Sequence, residues 1–89
     1  DMFVEVGYFD DEDARELSSA ARSYGLRMRL HADQMQDANG AELASEIGAW
    51  TADHLEHTPA SKFAKLLESG TIPVLLPASV SCLCHSVYP

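Results

Sequence analysis

Basic residues are scarce in this chain. Its 89 residues include 6 Lys and Arg against 14 Asp and Glu, which gives a formal net charge of −8 at pH 7. A nucleic-acid-binding surface needs a basic stripe to neutralise phosphates, so we expect no nucleic-acid partner. The sequence also lacks the roughly 20 consecutive apolar residues of a membrane span, and its start has no signal-peptide pattern. We therefore expect no membrane partner.

Cysteine is also rare, since only Cys82 and Cys84 are present. Two thiols so close in sequence cannot form a disulfide framework, which favours a reducing, cytoplasmic location. The segment Cys82–His85 lacks the second ligand pair of a structural zinc site, so we interpret it as a loop of small residues. Because the chain starts at Asp1 within an apolar run and stops at Pro89, we expect it to be part of a larger domain.

The rest of the sequence alternates between short apolar runs and amphipathic segments. The runs predict four strands, and the segments between them predict three helices. The predicted strands are Met2–Val6, Leu26–His31, Trp50–His54 and Thr71–Leu76, and the predicted helices run from about Asp11 to Tyr24, from Ala41 to Ile47, and from Thr58 to Gly70.

Local signals set the ends of these helices. The acidic run Asp10–Glu16 offers an N-cap and first-turn acids, so it is interpreted as a solvated helix start rather than a cation site. Thr58 followed by Pro59 predicts an N-cap with proline at the first helical position. This last helix should carry Phe63, Leu66 and Leu67 inward. Pro77 should stop the final strand, in which Pro73 is unusual for a central position.

Strands alternating with helices and joined by short links predict right-handed βαβ crossovers and a parallel sheet. Four strands and three helices amount to half of an eight-stranded (β/α)8 TIM-type barrel, which is the α/β fold expected for residues 1–89. An open doubly wound sheet is the alternative. No GxGxxG or phosphate-binding loop follows any predicted strand to hold a nucleotide there.

Two histidines end successive predicted strands, His31 and His54. In parallel α/β folds the side chains at the carboxyl ends of the strands converge on one edge, where the chemistry takes place. The pair therefore suggests a metal-dependent active site. Arg27 and Arg29 alternate in phase with His31, so hydropathy does not settle which face of that strand points inward. The alternatives without a catalytic role are a hydrogen-bonded His31, a His54 that caps or forms a salt bridge beside Asp53 and Glu56, and a solvated His57 in a loop.

Several segments, taken in order, resemble the imidazolonepropionase family of the amidohydrolase superfamily. They are Glu5 in its strand, His31-Ala32-Asp33-Gln34, the small-residue helix Gly40–Gly48, Ala52-Asp53-His54-Leu55-Glu56, and Val74-Leu75-Leu76-Pro77. The resemblance covers nearly the whole chain and weakens after Pro77. It implies a central fragment, roughly strands four to seven, of a cytoplasmic hydrolase in histidine degradation.

The resemblance also implies roles for individual residues. His31 matches a metal ligand on the fifth barrel strand, which would bind one zinc or iron ion together with a His-x-His pair and an Asp from elsewhere in the barrel. Gln34 matches a substrate-binding position, and His54 a catalytic histidine near the attacking water. Glu5 would have a supporting role at most. Asp33 and Asp53 could serve only to brace loops around the site.

The implied reaction opens 4-imidazolone-5-propanoate, a small-molecule substrate, to N-formimidoyl-L-glutamate by cleavage of a cyclic amide C–N bond. A metal with an open coordination position lowers the pKa of bound water to about 7, which makes hydroxide available. The amide of Gln34 cannot act as a general base, so proton transfer would fall to the eighth-strand Asp. One ligand cannot hold a catalytic metal, so we predict that the 89-residue chain alone is inactive.

Two other readings stay open at this point. One is a different metal amidohydrolase, such as a deaminase on the same barrel, with the same strand-end histidines but other pocket residues. The second is a noncatalytic parallel α/β segment that acts as a scaffold. Metal analysis and substrate profiling would separate them. The sequence leaves open whether the complete protein is a homodimer.

Overall fold

A computed structural model of the chain describes residues 1–83. Strands and helices alternate along these residues, as predicted. The elements are β1 (Met2–Val4), α1 (Asp11–Ser23), β2 (Arg29–Ala32), α2 (Gly40–Glu46), β3 (Thr51–His54), α3 (Phe63–Ser69), β4 (Ile72–Val74) and α4 (Pro77–Cys82). In this part of the chain no helix is both long enough and apolar enough to cross a membrane.

The four strands form one parallel sheet in the order β1-β2-β3-β4. His31 in β2 lies beside Phe3 of β1 on one side and Asp53 of β3 on the other. Sequential parallel strands joined by helices confirm the predicted α/β fold, and their order is that of part of a TIM-type barrel. The sheet is open rather than closed into a barrel within residues 1–83.

The first helix has the ends that its sequence predicts. The Asp10 side chain accepts a hydrogen bond from the backbone N–H of Asp13, and the Asp13 side chain accepts one from the backbone N–H of Asp10, which forms a capping box. Arg15 pairs with Asp11 on the same helix and with Glu46 of α2. The acidic run is therefore a helix start, as expected.

The second helix packs closely on the sheet because its first residues are small. A Cβ atom built on Gly40 would lie 2.7 Å from the Cβ of Ala32 in β2, a distance that real side chains do not adopt. Glycine at this position allows α2 to approach β2. Beneath the helices the buried apolar core consists of Met2, Val4, Ala14, Met28, Leu30, Ala32, Ala41, Leu43, Ala44, Ile47, Ala49, Ala52, Leu55 and Leu66.

The start of the third helix differs from the prediction. A 3-10 turn over Ala60–Lys62 precedes α3, and the Thr58 side chain does not cap it. The Thr58 hydroxyl instead donates a hydrogen bond to the buried carboxylate of Asp33, so a distant acceptor replaces the local one. Leu66 is buried as predicted, but Leu67 is 72% exposed, so its predicted inward position was wrong.

The end of the described chain contains a helix that the sequence did not predict. Pro73 lies in β4, at the edge of the sheet, where a missing N–H is tolerated. Pro77 does end the extended segment, but it also begins α4 at the first helical turn, a favoured place for proline. Cys82 is therefore helical and exposed rather than in a loop. Cys84 and His85 lie outside the described residues.

Candidate functional site

The two faces of the sheet differ in chemistry. Leu30, Ala32 and Ala52 are buried beneath the helices. On the opposite face the Arg29 guanidinium donates hydrogen bonds to the Thr51 hydroxyl (3.2 Å) and to Oδ2 of Asp53 (3.3 Å). His31 belongs to this same set by the period-two alternation of β2. The structure thus places His31 and Arg29 together on the face opposite the buried apolar side chains of the sheet, which in a barrel is the interior.

The His31 ring is enclosed by other rings. It stacks on Phe3 with centroids 3.8 Å apart, and its centroid lies 4.5 Å from that of His54. His54 pairs with Ala32 in the strand register, so a regular strand would direct its side chain to the helix side. The backbone at His54 (φ 82°) and Leu55 (φ 67°) is left-handed, which breaks that alternation. The break allows the two predicted site histidines to meet.

Glu5 links His31 to the loop that follows it. Its Oε1 accepts hydrogen bonds from the backbone N–H groups of Gln34 (2.6 Å) and Met35 (3.1 Å) and lies 3.1 Å from Nε2 of His31. Burial lowers the pKa of His31, and the hydrogen bond to Glu5 offsets only part of this effect. His31 therefore favours the neutral form, with Nε2–H donating to Glu5.

Gln34 lies at the junction of three loops. Besides the backbone contact to Glu5, its side-chain Nε2 donates a hydrogen bond to the Ser79 hydroxyl of α4 (2.7 Å). The backbone carbonyl oxygen of Gln34 accepts a hydrogen bond from Nδ1 of His57 (2.8 Å). His57 is consequently half-buried and held in place, so its interpretation as a solvated loop residue was wrong.

Asp33 braces the loops and is buried completely. Its Oδ1 accepts from the backbone N–H groups of Ala38 (3.0 Å) and Gly40 (2.9 Å), and its Oδ2 from Ala41 N–H (3.2 Å) and the Thr58 hydroxyl (2.7 Å). Two of these donors are otherwise unsatisfied N–H groups at the start of α2. The bracing role considered for Asp33 matches these contacts.

Glu56 follows the left-handed turn and is only 2% exposed. Its Oε1 lies 3.7 Å from Nδ1 of His54. Neither Glu56 carboxylate oxygen has a hydrogen-bond partner among the described residues, and the same is true of Nδ1 of His54. Asp53 Oδ1 and Glu5 Oε2 are likewise buried without a partner there. The end of β3 thus gathers buried polar atoms that the described residues do not satisfy.

A cleft of about 400 Å³ opens beside the two histidine rings, and Phe3, His31, Asp53 and His54 are part of its lining. Within residues 1–83 no group of three or more His, Cys, Asp or Glu side chains could hold a metal ion. A metal nevertheless fits the chemistry of His31: the ring is held neutral, and with Nε2 donating to Glu5 the lone pair of Nδ1 remains available. These residues could thus supply one metal ligand.

The structure places two further polar residues at the site: Ser79, for which the sequence suggested no role, and Glu56, which it offered only as a salt-bridge partner of His54. Ser79 of α4 binds the side chain of Gln34, and Glu56 lies buried beside His54. The signal for Glu56 was its place in the sequence, because this acid comes directly after the strand-end segment Ala52–Leu55. Acids are almost never fully buried unless they have a partner or a function. No comparable local signal marks Ser79.

Comparison with known proteins gives a consistent result along the whole chain. No family model matches it. A curated protein named imidazolonepropionase from Solibacter usitatus is 52% identical over 89 residues, which is 100% of this chain and 21% of the relative. Imidazolonepropionases of Symbiobacterium thermophilum and Maricaulis maris are each 40% identical, over 99% and 100% of the chain. The chain spans about a fifth of the length of these relatives, and along its whole length it corresponds to a segment of imidazolonepropionases.

Proposed function

We propose that this chain forms part of the active site of a metal-dependent imidazolonepropionase, which hydrolyses the ring amide of 4-imidazolone-5-propanoate to N-formimidoyl-L-glutamate. The observation that carries the proposal is that the rings of His31 and His54 lie together at the ends of adjacent strands, with their centroids 4.5 Å apart. The chain that holds them is 52% identical to an imidazolonepropionase. Catalytic residues of such barrels come from the ends of several strands.

In the net reaction, the oxygen of water bonds to the ring carbonyl carbon, the ring C–N bond breaks, and a proton from water reaches the leaving nitrogen. A zinc or iron ion, when bound, would supply Lewis acidity toward the carbonyl and the water. His31 would contribute one ligand to that ion through Nδ1. Glu5 would hold the His31 ring in the required orientation through Nε2, as carboxylates commonly do for ligand histidines.

The other residues bind and orient the substrate. The side-chain nitrogen of Gln34 donates one of its two hydrogens to Ser79, which orients the amide, and the amide oxygen would accept a hydrogen bond from a ring N–H. His54 lines the cleft and would hydrogen-bond the water or the substrate. The absence of nucleic-acid and membrane partners and a cytoplasmic location remain predictions of the sequence, which leaves open whether the complete protein is a homodimer.

The proposal can be tested by transplanting the chain. In the Solibacter usitatus protein, the matching fifth is replaced by these 89 residues, and the product is called the chimera below. We expect the chimera to open the imidazolone ring and to bind zinc or iron stoichiometrically. His31→Ala should lose the metal, and His54→Ala should keep the metal but lose turnover. The charge-changing variant Glu68→Gln, at an exposed position of α3, is the matched control.

Three results would contradict the proposal. The first is a folded, metal-loaded chimera that is inert toward imidazolone propionate. The second is a chimera that instead releases ammonia from an aminated ring, which would identify a deaminase. The third is a His31→Ala variant with unchanged metal content, which would remove His31 from the ligand set. The isolated 89-residue chain should show no ring opening in the same assay.

A further inference from the structure

The backbone after β3 brings an acid to the back of the His54 ring. Left-handed φ values at His54 (82°) and Leu55 (67°) turn the chain where the strand ends. Leu55 then packs into the core with no exposed surface, and Glu56 lies beside His54 with Oε1 3.7 Å from Nδ1. Left-handed backbone at non-glycine residues is costly and persists where the surrounding structure enforces it. The left-handed turn therefore places Glu56 beside His54.

The buried carboxylate of Glu56 lacks a hydrogen-bond donor among the described residues. Its carboxylate is buried, and within residues 1–83 neither oxygen accepts a hydrogen bond. Buried carboxylates without partners are strongly disfavoured. The Nδ1 atom of His54 is also buried and unpartnered in this part of the chain, and it is the ring nitrogen that faces Glu56. With a proton on Nδ1, His54 would donate a hydrogen bond to Oε1 of Glu56, so that this nitrogen and this oxygen would each have a partner.

The opposite nitrogen of His54 has a different environment. Nε2 makes no hydrogen bond to a described residue and is not among the buried unpartnered atoms, while the His54 ring lines the cleft. If Nδ1 carries the proton, Nε2 of the neutral ring has a free lone pair directed to solvent or substrate. The tautomer thus decides whether His54 accepts or donates in the cleft.

We infer that Glu56 is a positioning residue, which accepts a hydrogen bond from Nδ1–H of His54 and so presents Nε2 to the cleft as a hydrogen-bond acceptor for the attacking water. The inference rests on the proposed function for the identity of the cleft's occupant. It accounts for an acceptor at the site although Gln34 carries an amide, which cannot act as a general base. The 3.7 Å separation is slightly longer than a hydrogen bond, as is common before substrate binds.

The test reads the tautomer directly. The chimera is labelled with ¹⁵N-histidine, and its ring nitrogens are observed at a pH where the rings are neutral, with the His54 signals assigned by their loss in His54→Asn. We expect the Nδ1–H form of His54 in the parent chimera. Glu56→Gln, whose amide can donate to Nδ1, should shift His54 toward the Nε2–H form. Glu56→Asp, which keeps the carboxylate, should restore part of the Nδ1–H form, and Glu68→Gln should change nothing.

Steady-state kinetics give the second readout. Hydrogen-bond partners of metal-ligating histidines contribute about 10–100-fold to activity. We expect a factor of the same order for a partner of His54, so Glu56→Gln should lower kcat by about 10–100-fold with little change in KM. An Nε2–H tautomer in the parent chimera would overturn the inference, whether or not the variants fold. Unchanged tautomer and kcat in a folded Glu56→Gln variant would do the same. Because the tautomer is measured without turnover, a chimera that lacks ring-opening activity would refute the proposed function and leave this result readable.

Discussion

Removal of the Asp33 carboxylate should destabilise the protein more than any other single change among its loop residues. The carboxylate is fully buried and accepts four hydrogen bonds, from Ala38, Gly40, Ala41 and Thr58. Three of these bonds are buried, those from Gly40, Ala41 and Thr58. A buried donor left unsatisfied costs about 1–3 kcal/mol. With about 1 kcal/mol or slightly more for each, Asp33→Ala should cost about 3–4 kcal/mol.

Two matched variants divide this effect. Asp33→Asn keeps one acceptor oxygen for Ala38 and Gly40, and the Thr58 hydroxyl can rotate to accept from the new amide, so only the Ala41 bond is lost. It should cost about 1–2 kcal/mol. Thr58→Val removes one donor and leaves Asp33 with three others, so about 1 kcal/mol is expected.

Urea unfolding of the chimera measures these costs, with Glu68→Gln as the control of unchanged stability. We expect the loss of stability to decrease in the order Asp33→Ala, Asp33→Asn, Thr58→Val, with similar slopes of free energy against urea. An Asp33→Ala variant that unfolds at the same urea midpoint as the unsubstituted chimera would refute the bracing role of Asp33. A Thr58→Val variant as unstable as Asp33→Ala would show that the threonine, not the carboxylate, holds the loops together.

Three further predictions concern packing, pH and charge. Gly40→Ala places a methyl group 2.7 Å from the Ala32 Cβ, so it should cost about 1–3 kcal/mol in urea unfolding, whereas Ser45→Ala, elsewhere on α2, should cost less. Because burial lowers the pKa of His31, the unfolded chain takes up a proton below about pH 6.5 that the folded chain does not, so stability should fall as pH drops from 8 to 5. With both proteins stripped of metal, His31→Asn should flatten that part of the pH profile, and an unchanged slope would contradict the lowered pKa of His31. Lys62 donates hydrogen bonds to both Asp37 carboxylate oxygens and to Asn39, so Lys62→Met should cost about 1 kcal/mol in thermal unfolding at pH 7. These contacts lower the pKa of Asp37, so the penalty should shrink as acid protonates that carboxyl.

The sequence predicts the architecture well because the signals for strands and helices are local. The period-two pattern around Leu30 places β2, and the acids after Asp10 place the start of α1. The errors occur where distant residues decide. Thr58 and Pro59 have the right local pattern for an N-cap, but the hydroxyl of Thr58 finds the carboxylate of Asp33, which lies 25 residues earlier. A rule based on neighbouring residues alone cannot predict that the Thr58 hydroxyl bonds to a distant carboxylate instead of capping its own helix.

The candidate site shows the same division between local and distant information. The order of residues in the chain placed His31 and His54 at strand ends, and the parallel sheet brings strand ends to one edge. Hydropathy did not settle which side of β2 points to the barrel interior, because Arg29 and His31 lie on the same side of the strand. The structure resolves this through a partner on β3: Asp53 accepts a hydrogen bond from Arg29, which makes an arginine acceptable on the face opposite the apolar core. Strict alternation would have directed His54 to the other face, and only the left-handed turn at its backbone prevents this.

Three acids lie buried near the strand ends, and the degree to which their oxygens are satisfied separates their roles. Asp33 has four donors and is a structural brace. Glu5 has donors on one oxygen and none among residues 1–83 on the other, which suits a residue that holds both a loop and the His31 ring. Glu56 has no hydrogen-bond donor in the described chain and lies beside a histidine whose facing nitrogen is equally unpartnered. Burial without satisfaction destabilises a fold, so a carboxylate in that state indicates function more strongly than one whose bonds are complete.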